Sequence, residues 1–532
     1  MAPNRSTRAL VLRGLREMVP APAYRLRVPQ RRYQRSDVVL SPAGGGVRYL
    51  LEREGWDALD ALRHNLDTVR QALEAAQVDH FVVNARWGSR PVIGILRQDL
   101  PALWAALRHR AESEPLYVTT TATTSADETQ PRRLDADPPD AAASFSVFTY
   151  VGDPQTLRRW DSVSGCTVEL WEERPDGSLT SRARYVETRR HVCAEARQRR
   201  TTVDVCGRPL STFEALQAPG PFQVTFPIDV VYLWVDGDDP AWQARKAARA
   251  GRPTDAAAPP KGQEAMRFRQ FDELRYSLRS LERFAPWVRQ VFLVTDRQRP
   301  AWLDEEGSNL TVVDHAEILP EAARPTFNSH AITASLHRIP GLSDRFILFN
   351  DDVFLGSPVG PEQFFEGNGI ARFFLSRTSI DPTPRAPHEV ARVRTCDLIE
   401  ERTGFRPTQV MKHTPVPFNR QLLEDLEQEL GDAWWDTVHS PFRSPTDIVP
   451  SYLHHYLGYA RGLTAPGRGL TYGYFAFGVE SGMRELERYQ RGRPVHVFCV
   501  NDLGTDPARL ATDAVALSEF LEREFPHRSS YE

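Results

Sequence analysis

The dipeptide Asp351-Asp352 ends the apolar run RFILF at residues 345–349, with Asn350 between them. Two adjacent carboxylates at the exit of a buried strand repel one another unless a cation or hydrogen-bond donors neutralise them. A divalent metal would do so, and an oxygen-only donor set suits Mg²⁺ or Mn²⁺, which bridge to substrate phosphates. An Asx turn capping the next segment accounts for the same pair without metal, and on these two residues alone it is the simpler account. Asp236 after VVYLWV and Asp296 after VFLVT stand at equivalent exits. Ligands bind at the carboxyl ends of parallel strands, so Asp236, Asp296, Asn350, Asp351 and Asp352 are expected to converge on one crevice.

The elements that must position these residues are legible from residue 225 onward. IDVVYLWV, VRQVFLVT, NLTVVDH and RFILF are short apolar runs separated by helical segments. Runs buried on both faces imply a largely parallel sheet with crossover helices. DELRYSLRSLERFAPW places Leu274, Leu278, Leu281 and Ala285 on one stripe and Arg275, Arg279 and Glu282 off it, with Asp272 as N-cap and Pro286 as terminator.

Upstream, LDALRHNLDTVRQALEAAQV carries a helical apolar period, and HFVVNARWGSRPVIGIL reads as two strands around a turn. Residues 119–144, rich in Thr, Asp, Pro and Ala, read as a linker or exposed loop. SFSVFTYV and CTVELWEE resume as strands. The expected organisation is a basic tail at 1–35, an accessory α/β or α+β domain at 36–215 and a larger domain at 225–532.

A chain of 532 residues is too long for one ordinary core. Its composition, 41% hydrophobic and 26% charged, is that of a globular protein, and a net charge of −4 gives no sign of nucleic-acid binding. Five scattered cysteines lack disulfide or zinc-site spacing and fit a reducing cytoplasm. No apolar stretch approaches the roughly 20 residues of a membrane helix. The first residues mix arginines with Leu10, Val11, Leu15, Met18 and Val19. They suit a solvated basic tail or a docked helix, and also peripheral contact with an anionic inner membrane face.

Five segments change the weighing at Asp351-Asp352. IDVVYLWVDGDDPAW, RFRQFDELRYSLRSLERFAPWVRQVFLVTDRQRPAWL, PTFNSHAITASLHRIPGLSDRFILFNDDVFLG, KHTPVPFNRQLLEDLEQEL with SPFRSPTDI, and FCVNDLGTDP occur in this order. Together they closely resemble the blocks of the Stealth family of sugar-phosphate transferases, over about residues 225–532. The resemblance implies a Rossmann-like, mostly parallel α/β catalytic domain that depends on a metal. The implied reaction carries a sugar 1-phosphate from a nucleotide-diphosphate sugar to a hydroxyl of an acceptor saccharide, forming a phosphodiester in cell-surface polysaccharide.

Carried over residue by residue, the resemblance makes Asp351 and Asp352 metal ligands. His413, in MKHTPVPF, becomes the base for the acceptor hydroxyl. Arg443, in SPFRSPTD, becomes a phosphate-binding and charge-stabilising group, with a loop pair to Asp447 as its plainer reading. Asp236, Asn328, Ser329 and Lys412 are implied substrate contacts, with helix capping by Asp238 or Asp239 weighed against the first. One departure stands out: many relatives carry glutamate where this chain has Thr333, in HAITAS. Either that position tunes substrate choice, or activity is weakened. The competing readings are a metal-dependent glycosyltransferase moving the sugar alone and a catalytically silent nucleotide-sugar-binding protein.

Overall fold

The computed structural model describes residues 33–532, apart from residues 34, 44–45, 123–128, 136, 139–141, 157, 184–188, 252–267, 305, 307, 491 and 493. Nearly all of the basic tail, with the helix or membrane contact expected around residues 10–19, lies outside the described residues. The chain divides into two compact units, one mainly of residues up to Ala85 and Arg90–Gln217, the other mainly of Ala218–Gln490 and Pro494–Glu532. Among the described residues no helix is long and apolar enough to cross a membrane. All five cysteines are free thiols.

In the first unit, the strand Cys166–Glu173 pairs antiparallel with Ala142–Thr149 and Leu179–Ser181 and parallel with Val92–Leu96. The helix Ala58–Ala75 opens with a capping box in which Asp57 Oδ1 accepts from the Leu59 and Asp60 amides at 2.8 and 3.0 Å. Its periodic Leu59, Leu62, Leu66, Val69 and Leu73 are buried, as their spacing requires. His80–Asn84 and Val92–Leu96 form the expected hairpin. Mostly antiparallel pairing makes this unit α+β. The expected linker or exposed loop at 119–144 is corrected at its two ends, which lie in Leu116–Ala122 and Ala142–Thr149 and pair antiparallel in one sheet. Threonine, read there as linker composition, is β-branched and suits a pleated strand, whereas alanine takes strand positions because tertiary pairing overrides its weak local preference.

The second unit is built on a five-stranded sheet in the spatial order Leu310–Asp314, Val291–Thr295, Asp229–Leu233, Arg345–Asn350, Val416–Asn419. The first four strands are parallel and the last is antiparallel. The strand order therefore reverses direction at Asp229–Leu233, where an open α/β sheet has its crevice. A smaller sheet joins Val353–Leu355, Val497–Asp502 and Tyr472–Phe477. The core beneath the main sheet gathers Val231, Val294, Phe346 and Leu348 with Trp434 and Leu453.

The crossover helix Glu273–Phe284 buries Leu274, Leu278 and Leu281 as its stripe predicts and stops before Pro286. It ties the two sheets together: the Tyr232 hydroxyl of the main sheet meets Ser277 Oγ at 2.8 Å, while in the smaller sheet Ser277 Oγ donates to the Val353 carbonyl at 2.5 Å and Ser280 Oγ accepts from the Leu355 amide at 3.0 Å. Its start differs from the sequence reading. Asp272 occupies the N-cap position with a left-handed backbone, φ 65°, and makes no capping bond. Its carboxylate accepts instead from Arg275 at 3.0 Å, while Glu273 Oε2 accepts from the Phe271 amide at 2.6 Å. Arg279, off the apolar stripe, is also buried, because the Glu532 carboxylate accepts from its guanidinium at 2.7 and 2.8 Å.

Candidate active site

Asp351 and Asp352 form the turn by which the chain leaves the main sheet at Asn350 and enters the smaller one at Val353. Asp351 Oδ2 accepts from Gln270 Nε2 at 3.2 Å, and Gln270 Oε1 accepts from Trp234 Nε1 at 2.9 Å. Asp352 is pinned through its backbone, its carbonyl accepting from the Val500 amide at 3.0 Å. Its Oδ2 accepts a weak bond from the Cys499 thiol at 3.3 Å, and its Oδ1 is buried with no hydrogen-bond partner. Both aspartates keep part of their surface open to the cavity, yet protein packs closely enough around them to dominate their titration. Burial, followed by the charge of Asp351, raises Asp352 to about 7, and burial raises Asp351 as well.

A cavity of about 310 Å³ at the carboxyl ends of the strands is lined by both aspartates, Asn350, Ser329, His413 and Arg443. Arg443 Nη2 donates to Ser329 Oγ at 2.8 Å. The loop carrying Arg443 is clipped to the segment carrying Ser329 by Asp447, whose Oδ2 accepts from Asn328 Nδ2 at 2.9 Å and the Ser444 amide at 2.9 Å and meets His330 Nδ1 at 3.2 Å. Phe327 and Phe442 stack across the same junction at 5.4 Å. His413 stands exposed at the cavity rim, edge-on to the Tyr474 ring at 5.9 Å. The surrounding protein, then the charges of Arg392 and Arg443, lower its pKa, so the ring is neutral and able to accept a proton at neutral pH.

Three residues singled out from the sequence are placed elsewhere. Asn328 is fully buried as the N-cap of Ser329–Ala334, accepting from the His330 amide at 3.1 Å, and holds the Arg443 loop rather than lining the cavity. Asp236 Oδ1 accepts from the Asp238 amide at 2.9 Å in a turn, while its neighbours Trp234 and Val235 form the cavity wall. Asp239 is the helix cap there, accepting from the Ala241 amide at 2.8 Å. Gly237 in that turn cannot carry a side chain, because a β-carbon would collide with the Phe268 carbonyl. Lys412 sets its ammonium 5.8 Å from the Tyr472 ring centroid and does not line the cavity. Thr333 is buried one helical turn after Ser329.

The structure adds residues that the sequence reading left unnamed. Glu273 reaches the cavity from the first turn of its helix, and burial, then Asp351, pushes its carboxyl up to about 8. Gln270 orients Asp351. Asp502, at the end of Val497–Asp502, is ion-paired with Arg269 at 2.8 Å. The only sequence signal for them was their place inside QFDEL and VNDLG, since the contacts that matter are tertiary. With Asp352 Oδ1 buried and unpartnered beside a second carboxylate, the residues present fit a hard divalent cation.

Sequence comparison places three conserved regions on this frame. Profiles described as Stealth protein CR1, CR2 and CR3, conserved regions 1 to 3, match residues 226–252, 267–373 and 412–459. The exopolysaccharide phosphotransferase SCO6023 of Streptomyces coelicolor is 36% identical over 520 residues, covering 92% of this chain and 86% of its own. The exopolysaccharide phosphotransferase CpsY of Mycobacterium tuberculosis is 36% identical over 502 residues, covering 89% and 88%. Among solved structures, the galactosyltransferase LgtC in complex with donor and acceptor sugar analogs aligns with 55% of this chain and 95% of its own at 14% identity. Its TM-score of 0.30 is too low to carry an argument.

Proposed function

Because the chain belongs to the Stealth family, we propose that it is an exopolysaccharide phosphotransferase, moving a sugar 1-phosphate from a nucleotide-diphosphate sugar to a hydroxyl of an acceptor saccharide. One observation carries the residue assignment: Asp351, Asp352, His413 and Arg443, from three separate segments, line one cavity at the strand ends.

In this reading, neutral His413 accepts the proton of the acceptor hydroxyl as its oxygen attacks the sugar-bearing phosphorus. The bond from that phosphorus to the bridging oxygen breaks, the new phosphodiester forms, and nucleoside monophosphate leaves with the bridging oxygen. Arg443, held by Ser329, presents its planar fork to the phosphoryl oxygens. Asp351 and Asp352 would hold Mg²⁺ or Mn²⁺, which when bound neutralises the diphosphate and the departing nucleotide. Glu273, protonated at neutral pH, lines the site without adding a third negative charge. Thr333, on the helix that supports Arg443, leaves a neutral group where many relatives carry an acid, and we read it as a determinant of substrate choice.

The test is incubation of the purified protein with a panel of nucleotide-sugars and Mg²⁺ or Mn²⁺, followed by identification of the released nucleotide. Nucleoside monophosphate is the expected product. Release of nucleoside diphosphate would establish glycosyl transfer instead, and no release with any donor would favour a silent binding protein.

A further inference from the structure

A second cavity, of about 540 Å³, adjoins the first and shares His315 with it. Arg245, Arg249, Arg297 and Arg324 line it, against Asp296, Asp314 and Glu321. Two of the three acids are already engaged. Asp296 Oδ2 accepts from Arg245 Nε at 3.0 Å. Asp314 accepts from the Ala316 amide at 2.8 Å and the Arg297 amide at 2.7 Å. Among the described residues, the guanidinium groups of Arg249, Arg297 and Arg324 make no hydrogen bond or ion pair, and Arg324 Nε is buried without a partner. His315 is only 4% exposed, and its Nδ1 is likewise buried and unpartnered. Burial holds its ring neutral, with a pKa of about 4.

Buried polar atoms ordinarily find partners, so these two nitrogens mark a place where a ligand's oxygen is expected. Guanidinium forks around a concave space favour phosphate over a neutral sugar. The location decides which phosphate. Asp296 follows the strand Val291–Thr295 and Asp314 ends the strand Leu310–Asp314, two and three places from Arg345–Asn350 in the sheet order. At the usual strand spacing this is about 10–14 Å from the acidic pair, too far for the reacting phosphoryl group or its neighbour in the same diphosphate.

We propose that this second cavity binds a phosphate ester of the acceptor, holding the phosphodiester of a chain already assembled beside the point where the next is made. The inference rests on the sugar-phosphate transfer reading for the acceptor's identity. The anion site itself does not depend on it.

The probe is inorganic phosphate, titrated at low salt into the full chain without donor or added metal and followed calorimetrically. Wild type is expected to take up phosphate, and Arg249→Gln/Arg324→Gln should weaken it at least about tenfold, the loss of one charge-assisted contact or more. Any phosphate that remains reports the Arg443 side. Arg249→Gln/Arg297→Gln, both at exposed positions, serves if the first pair perturbs folding. Unchanged affinity in the folded variants, or no uptake by wild type, would overturn the proposal. Competition then distinguishes sources: displacement of the arginine-dependent phosphate by a synthetic hexose phosphodiester supports the acceptor, whereas displacement by nucleoside monophosphate alone defeats that assignment. Since turnover is not measured, a negative result here leaves the transfer reading standing, and an inactive donor panel leaves the anion site standing.

Discussion

Asp229 and Asp352 lie at opposite ends of neighbouring strands in one parallel sheet, and the protein treats them oppositely. Asp229, at the amino end, is fully buried and fully matched: Arg289 donates to both its oxygens at 2.8 and 2.6 Å, and the Ser343 amide adds a bond at 2.7 Å. Asp352, beyond the carboxyl end, has one thiol contact, a second acid beside it and one oxygen with no partner. The same chain that supplies an arginine fork at one end withholds it at the other. A buried carboxylate left short of partners is unfavourable for folding alone, so the contrast assigns the amino end to holding the sheet and the carboxyl end to holding something else.

The strongest way to break this contrast is Asp352→Asn. Removing one charge while keeping the shape should lower turnover by about 10⁴-fold, the scale of losing metal-assisted charge stabilisation, with thermal stability unchanged or raised. Released nucleotide and a melting curve check both halves. A variant that retains wild-type turnover and metal dependence would remove Asp352 from the site.

His413→Ala tests the same end of the sheet and should slow the chemical step by about 10²–10⁴-fold while donor binding survives. Single-turnover rates between about pH 5 and 8 should lose their dependence on the imidazole. Identical profiles in variant and wild type would end its role as base.

At the amino end the expected pattern inverts. Asp229→Asn should cost about 2 kcal/mol of stability, since charged hydrogen bonds are lost and the Arg289 partner is half-exposed. Activity per folded molecule should be unchanged. Denaturant unfolding beside the donor assay measures this, and a stable but inactive variant would dissolve the distinction.

The smallest effect is on pH dependence. Asp352 at about 7 and Glu273 at about 8 hold protons more tightly than the ordinary carboxylates of the unfolded chain. Between about pH 4 and 8 the folded state therefore binds more protons, and these groups make stability fall as pH rises. In metal-free protein the melting temperature should decline across that window. Mg²⁺ or Mn²⁺ should flatten the decline by binding the ionised aspartates, and Asp352→Asn should remove part of it.

Local pattern made the four parallel strands and the crossover stripe legible, because apolar runs of that length have few other uses. Val416–Asn419 forms the antiparallel edge without a sequence signal, since VPFN is short and carries a proline. VFL after the acidic pair reads as part of the preceding run and belongs to another sheet. Asp351 and Asp352 announce themselves by like charge at a strand exit, and the block resemblance brought in Ser329, His413 and Arg443. Glu273 gave no such signal. An acid in the first turn of a helix is ordinarily a solvated dipole partner, and only the packing of the two sheets buries it beside Asp351.

The turn at Asp351-Asp352 also makes the site a seam. The chain crosses there from one sheet to the other with no residue to spare, and the Val500 amide is fastened to the Asp352 carbonyl across the join. Opening of the join between the two sheets would therefore also disturb the acidic turn proposed to hold a cation. A divalent ion bound there would act as a rivet, and deuterium uptake at the Val500 amide would become a readout of occupancy that needs no substrate.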